Sequence, residues 1–276
     1  MALVPFPGSH SSPALRPPDD PEDDDTGDPM LGGRMSFLEH LDELRKRIVR
    51  SIIGVGVGLL LTFAFIQPIF DFLLAPTRKV LPPGVKLIYT QPGEAFGLYI
   101  TVALIAGAVA AAPYIMFQVW GFIAPALYAK EKRLAIPFVL LTTIGFLLGT
   151  AFNHYVAFPF MMRFFATFNT PELAFMPRLS DVFGLYTKML LGMGLVFQMP
   201  AVVYFLARMK LVTARFLWKH GKYAILVAYV VAAIITPTGD PMNQTVFAAP
   251  MIGLYFLSIL IAWMVNPRGG EKPGAE

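Results

Sequence analysis

Two short stretches of this chain gather acidic and basic side chains outside the apolar segments, where they could carry chemistry. In the first, Glu39, Asp42 and Glu43 are followed by Arg45, Lys46 and Arg47; in the second, Glu131 is the sole acid among Lys130, Lys132 and Arg133. The apolar stripe of the first stretch lies against the membrane surface or bundle and leaves Glu39, Asp42 and Glu43 reachable from the cytoplasm. Each glutamate alone also has an ordinary reading. Glu43 pairs with Arg47 at i+4, worth only ~0.2–0.5 kcal/mol, and an isolated pair around Glu131 is a common surface feature. Enzymatic chemistry finds little support. His10, His40, His154 and His220 are scattered and set no metal spacing. There is no cysteine, hence no thiolate, disulfide or cysteine nucleophile. No hydrolytic triad and no paired intramembrane carboxylates occur. Gly54, Gly56 and Gly58 resemble a nucleotide loop only superficially, because they sit in an apolar run where small residues four apart signal close helix packing. The expectation is a non-enzyme without catalytic residues, metal or cofactor.

The elements that must carry these residues follow from composition. The chain has 276 residues, 56% hydrophobic and 14% charged, with a mean hydropathy of +0.60. Soluble domains carry about 25% charged residues. Residues 1–34 hold 7 of the 18 acids and 2 of the 22 Lys+Arg, so the remainder has a formal charge of +9. A body this apolar cannot cover a water-facing surface, which excludes a soluble globular enzyme and implies a polytopic membrane protein. Seven prolines and the run Asp19–Asp25 give residues 1–34 little to bury, so a disordered acidic cytoplasmic tail is expected there, not a signal peptide. Residues 35–265 form the membrane domain and 266–276 a short cytoplasmic C-terminal tail.

Six apolar segments follow the tail: 48–66, 98–120, 134–157, 189–207, 223–235 and 246–265. A span needs ~20 residues; the fifth has 13 and must thin the bilayer or be sheltered by its neighbours. Placing the basic loops on one side puts 16 Lys+Arg there against 5 opposite, with Lys188 left at a span end. Both termini are then cytoplasmic. The outer loops, roughly 67–97 and 158–188, are rich in Phe and Pro and are expected to form short amphipathic helices or a cap over the bundle. Ser36-Phe37-Leu38-Glu39 fits a capping box opening a helix through Ile48.

Three motifs then carry a family resemblance. Residues 37–47, FLEHLDELRKR, look like the amino-terminal motif of the twin-arginine translocase C-subunit family (TatC). Residues 117–133, FQVWGFIAPALYAKEKR, are similar to its longest signature, and Thr236-Pro237, Asp240 and Gln244-Thr245 resemble its fifth–sixth turn. Order, spacing and span number match over about 35–265. The resemblance implies an all-α, concave bundle of six transmembrane helices in the inner membrane, with short fifth and sixth helices and an extracytoplasmic cap. It implies a receptor for twin-arginine signal peptides of folded cargo, with Glu43 and Glu131 meeting the two arginines, Arg45 fixing the network and Phe122 supplying apolar cover. Pro82 matches a position shaping the cap, and Asp240 one in the fifth–sixth turn. Gln198, Thr236 and Gln244 match polar positions toward TatA- and TatB-like single-span partners. Self-association in a larger complex, lipid contact and no nucleic acid are further implications. Many relatives carry glutamate where this chain has Gln198, which hydrogen-bonds but cannot titrate. With so few intramembrane acids, the proton-motive force is expected to act on partner assembly.

Two alternatives remain at this level. A multi-pass small-molecule secondary transporter would show internal repeats and polar midplane groups, and spans one to three do not resemble four to six. A scaffold that only assembles partners is the third reading.

Overall fold

The computed structural model describes residues 37–81, 87–123, 135–170, 172, 175–236 and 240–265. The tails 1–34 and 266–276, Pro82 and Glu131 lie outside the described residues.

Helices account for most of the described residues, in the order α1 (Phe37–Phe63), α2 (Ile66–Arg78), α3 (Glu94–Ala110), α4 (Ala112–Ile123), α5 (Ala135–Phe152), a π turn (Asn153–Ala157), α6 (Phe158–Ala166), α7 (Leu179–Val196), α8 (Met199–Arg208), α9 (Ala214–Lys219), α10 (Gly221–Ile235) and α11 (Pro241–Val265). No strand forms among the described residues; a lone bridge pairs Ile88 with Arg178. An all-α membrane bundle is what an apolar environment demands, because a helix satisfies its own backbone groups without water.

Proline positions the breaks. Pro113 is the second residue of α4, where α3 and α4 bend by 56°. Pro200 is the second residue of α8, just after Gln198 at the α7–α8 break. Pro68 lies in the first turn of α2, which turns 93° from α1. In each case proline sits where its missing N–H has no helical partner to lose. Three helical runs are long and apolar enough to cross a membrane alone: Ile136–Ala166, Leu179–Arg208 and Pro241–Val265. Counting each bent pair as one raises the number to five, and α10 is a shorter apolar helix. Each of the six apolar segments thus corresponds to a helix or helix pair.

Three boundaries differ from the sequence reading. The third segment does not end at Ala157; it continues through α6 to Ala166. The π turn ahead of Pro159 relaxes the hydrogen-bond register, an adjustment by which membrane helices tolerate proline. The fourth begins at Leu179, ten residues before the apolar run, because Leu179, Val182, Phe183, Tyr186 and Met189 already form one buried stripe. The sixth helix is not short. Asp240 accepts from the Asn243 N–H at 2.8 Å and starts α11 at Pro241, giving 25 residues and a rise of ~37 Å. The fifth is short as read: α10 has 15 residues, rising ~22 Å against a core of ~30 Å.

The main core lies at the end where α1 turns into α2. There Leu73 and Leu74 of α2, Val102 of α3, Phe158 of α6, Met189 of α7 and Phe247 of α11 are buried together. Residues 87–90 and 175–178 close this end as a cap, with the Leu179 N–H donating to the Ile88 carbonyl at 2.8 Å. Helices α1 and α3 cross at Gly58 and Gly107, where a Cβ on Gly58 would lie 2.5 Å from the Gly107 carbonyl oxygen. Thr62 Oγ1 donates across the same crossing to the Ala103 carbonyl at 2.9 Å. The packing reading of the glycine run therefore holds for Gly58, and for Gly54 against the Tyr114 ring, but not for Gly56, which faces open space.

Candidate functional site

At the end of the bundle away from the cap, the first turns of α1 meet the second half of α4. Helical spacing places Asp42 beside Lys46 at 2.7 Å and Glu43 beside Arg47 at 3.0 Å. The two pairs differ in environment. Asp42 and Lys46 are exposed, whereas the Glu43 and Arg47 side chains retain 18% and 22% of their accessibility. The Lys46 ammonium holds the Asp42 carboxyl below its ordinary value.

Arg47 is anchored from two sides. Its Nη2 donates to Glu43 Oε1 at 3.0 Å, and its Nη1 donates to Oε1 of the buried Gln118 on α4 at 3.1 Å. The guanidinium lies over Gly121, and a Cβ there would collide with Arg47 Nη1. Two turns before Arg47 on α1, His40 stacks on Phe122 with centroids 4.3 Å apart and planes at 17°. These contacts pin the start of α1 against the end of α4. They leave Glu43 with one carboxylate oxygen engaged and the other, Oε2, buried without a hydrogen-bond partner among the described residues. A buried acceptor left unsatisfied costs about 1–3 kcal/mol, more when charged, so Oε2 favours an incoming donor.

Of the residues expected here, Glu43 and Phe122 come to one place. Arg45 is exposed, and the hydrogen bonds to Glu43 and Gln118 come from Arg47. Glu131 lies outside the described residues. The contributions of Gln118, Gly121 and His40 were not read from the sequence. Gln118 and Gly121 lie within the 117–133 motif, which is the one signal that pointed to them.

The polar residues of the other half are engaged within the bundle. Gln198 Nε2 donates to the Thr142 carbonyl of α5 at 3.0 Å, while its Oε1 is buried and unpartnered among the described residues. Thr236 is buried, its hydroxyl donating to the Ala232 carbonyl at 2.8 Å. Gln244 Nε2 donates to the Tyr229 carbonyl at 2.9 Å and ties α11 to α10. Asp240 Oδ1 also accepts from Asn243 Nδ2 at 3.0 Å. In the cap, Pro76 is buried inside α2.

Two further clusters had no sequence signal because their members are far apart in the chain. Glu94, at the cap end of α3 and before the apolar run from Leu98, receives Arg178 Nη2 at 3.1 Å and the Ser180 N–H at 3.1 Å. Burial from water pushes this carboxyl upward, but Arg178, the Thr90 N–H and Ser180 together outweigh it and hold it at about 2. His154, in the π turn, bonds Tyr186 Oη through Nδ1 at 3.0 Å and stacks on Phe72 at 4.1 Å. No group of three or more potential metal ligands occurs among the described residues.

Comparison with known proteins is consistent with this architecture. The family model for the Sec-independent protein translocase protein (TatC) matches residues 39–250. The Sec-independent protein translocase protein TatC of Koribacter versatilis is 42% identical over 241 residues, covering 86% of this chain and 89% of that protein. The TatC of Helicobacter pylori strain 26695 is 41% identical over 228 residues, covering 83% of this chain and 87% of its own length. The crystal structure of the twin arginine translocase receptor TatC superimposes with a TM-score of 0.71 at 34% identity, covering 83% of this chain and 100% of that one. A second crystal structure of that receptor, in DDM, gives a TM-score of 0.72 at the same identity. Matches of this extent in both sequence and fold establish that the chain belongs to the TatC family of Sec-independent protein translocase proteins.

Proposed function

We propose that this chain is the receptor subunit of a twin-arginine translocation system and not an enzyme. It binds twin-arginine signal peptides of folded cargo at the end formed by α1 and α4, and nucleates a translocation site with TatA- and TatB-like single-span subunits. The observation that carries this reading is the Glu43 carboxylate, held by Arg47 on one oxygen and offering a buried Oε2 that has no partner among the described residues. An incoming guanidinium satisfies that oxygen with a charge-assisted hydrogen bond, which partial burial strengthens. Glu131 meets the second arginine, Phe122 stacked on His40 covers the site from solvent, and Arg45 helps to fix the local network.

In this reading the protein lies in the inner membrane with six spans and both termini cytoplasmic, as its basic loops favour. Residues 1–34 are the acidic cytoplasmic region, 35–265 the membrane domain and 266–276 the cytoplasmic C-terminal region. The turn carrying Thr236 and Gln244, to which Asp240 belongs, is where the single-span partners dock, Gln198 offers a partner a further polar contact, and the chain self-associates in a larger complex. Pro82 shapes the cap. The proton-motive force drives partner assembly.

Site-specific crosslinking of a photoreactive twin-arginine peptide to the detergent-purified chain tests the receptor role. Crosslinks near 39–47 and 118–131, lost with a twin-lysine peptide and reduced roughly tenfold by Glu43→Ala or Glu131→Ala, are expected. Full crosslinking by both variants would move recognition elsewhere on the chain. Absence of any arginine-dependent crosslink would remove the receptor role.

A further inference from the structure

A groove of about 660 Å³ runs between α6, the first half of α7 and the end of α10, at the cap end of the bundle. Its apolar lining includes Met162 and Phe165 of α6 and Ile234 and Ile235 of α10. One wall is α7, which presents Asp181 and Lys188. Arg178 and Ser180 are at the rim, but Arg178 is committed to Glu94. Asp181 and Lys188 are exposed and form no ion pair among the described residues.

The order of groups along α7 is informative. Asp181 and Lys188 are seven residues apart, so they lie on nearly the same helix face with a rise of ~10 Å between them. Lys188 immediately precedes the apolar run 189–207 and so marks the hydrocarbon boundary. Below it on the same face, Leu191 and Leu195 are exposed, and across the groove Ile234 is 78% exposed. From the membrane interior outward the surface therefore reads apolar, cationic, anionic. A phospholipid with an amine headgroup reads apolar, phosphate, ammonium in the same direction.

We propose that this groove binds one phospholipid with a primary-amine headgroup from the cap-side leaflet. Lys188 holds the phosphate, Asp181 accepts hydrogen bonds from the ammonium, and the acyl chains lie along Leu191, Leu195 and Ile234. A trimethylammonium headgroup has no N–H to give Asp181, so the carboxylate selects the primary amine. A transmembrane helix of another chain fits less well, because its apolar surface would strand both charges without partners. The short α10 adds to the case: a local bilayer thinned to its ~22 Å brings headgroups down toward Lys188.

Native mass spectrometry of the full chain in detergent tests this, with phosphatidylethanolamine, phosphatidylcholine and phosphatidylglycerol of identical acyl chains. The wild-type chain is expected to retain one phosphatidylethanolamine roughly tenfold over phosphatidylcholine, the effect of one charged hydrogen bond. Asp181→Ala abolishes that preference, a ratio measured within one protein and so insensitive to its yield. Lys188→Gln lowers retention of all three lipids roughly tenfold, and Lys188→Arg restores it. Both sites are remote from Glu43, so twin-arginine peptide crosslinking stays unchanged in these variants and its failure would be a separate result. Equal retention of the three lipids by the wild type, tighter phosphatidylglycerol, or a preference that survives Asp181→Ala would overturn the proposal. Retention of none of the three would overturn it as well.

Discussion

Arg47 on α1 reaches Gln118 on α4 at 3.1 Å while its other terminal nitrogen holds Glu43 at 3.0 Å. An i,i+4 pair that is marginal on an isolated helix becomes, through this second anchor, a fixed element between two helices. The Glu43 carboxylate is thereby held in one orientation, with Oε2 kept available.

The room for that arrangement comes from Gly121. Gly121→Ala places a methyl group in the Arg47 guanidinium and displaces it from Gln118. Twin-arginine peptide affinity, measured by fluorescence anisotropy in detergent, is expected to fall about tenfold, or ~1.4 kcal/mol. Unchanged affinity would show that Arg47 does not set the Glu43 geometry.

In the cap, Glu94 carries a pH dependence of known sign. Its carboxyl is held at about 2 against an ordinary 4.5, so its ion pair contributes in full above pH 4.5 and is lost as pH falls toward 2. Thermal unfolding of wild type and Glu94→Gln between pH 6 and 2 is expected to show a constant gap above pH 4.5 that closes toward pH 2. A gap that persists unchanged to pH 2 would mean the carboxylate charge is irrelevant to the cap.

The α1–α3 crossing predicts a sharp contrast between neighbouring glycines. Gly107→Ala forces the two backbones apart and is expected to cost about 1–3 kcal/mol, read as a lower unfolding temperature. Gly56→Ala meets nothing within 4 Å and stays within about 0.5 kcal/mol of wild type. Equal effects would contradict the close approach.

At the α7–α8 break, Gln198 offers an N–H to carbonyls on two helices, Thr142 at 3.0 Å and Gly194 at 3.4 Å. Gln198→Met keeps the side-chain length but removes that donor from both carbonyls. Stability at neutral pH should drop by about 1–3 kcal/mol, checked by thermal unfolding in detergent. If the variant matches wild type, the amide orientation described here is not what joins α5 to α7.

The amino-acid sequence by itself determined the membrane class, the six helical segments and the Glu43–Arg47 spacing, because hydropathy and i,i+4 proximity are local properties of a helix. It also marked the 37–47 and 117–133 motifs and the turn at 236–245. It could not reach the partner of Arg47, which lies 71 residues away, or that of Glu94, 84 residues away. Those contacts depend on the 56° bend at Ala111 and on how closely α1 and α3 cross. The ends of the third and fourth helices were misread for a related reason. Arg163, Asp181 and Lys188 break the hydropathy pattern that marks a span, yet they lie on exposed or half-buried faces of helices whose opposite stripe is buried. Only packing in three dimensions decides which face of a helix may carry a charge.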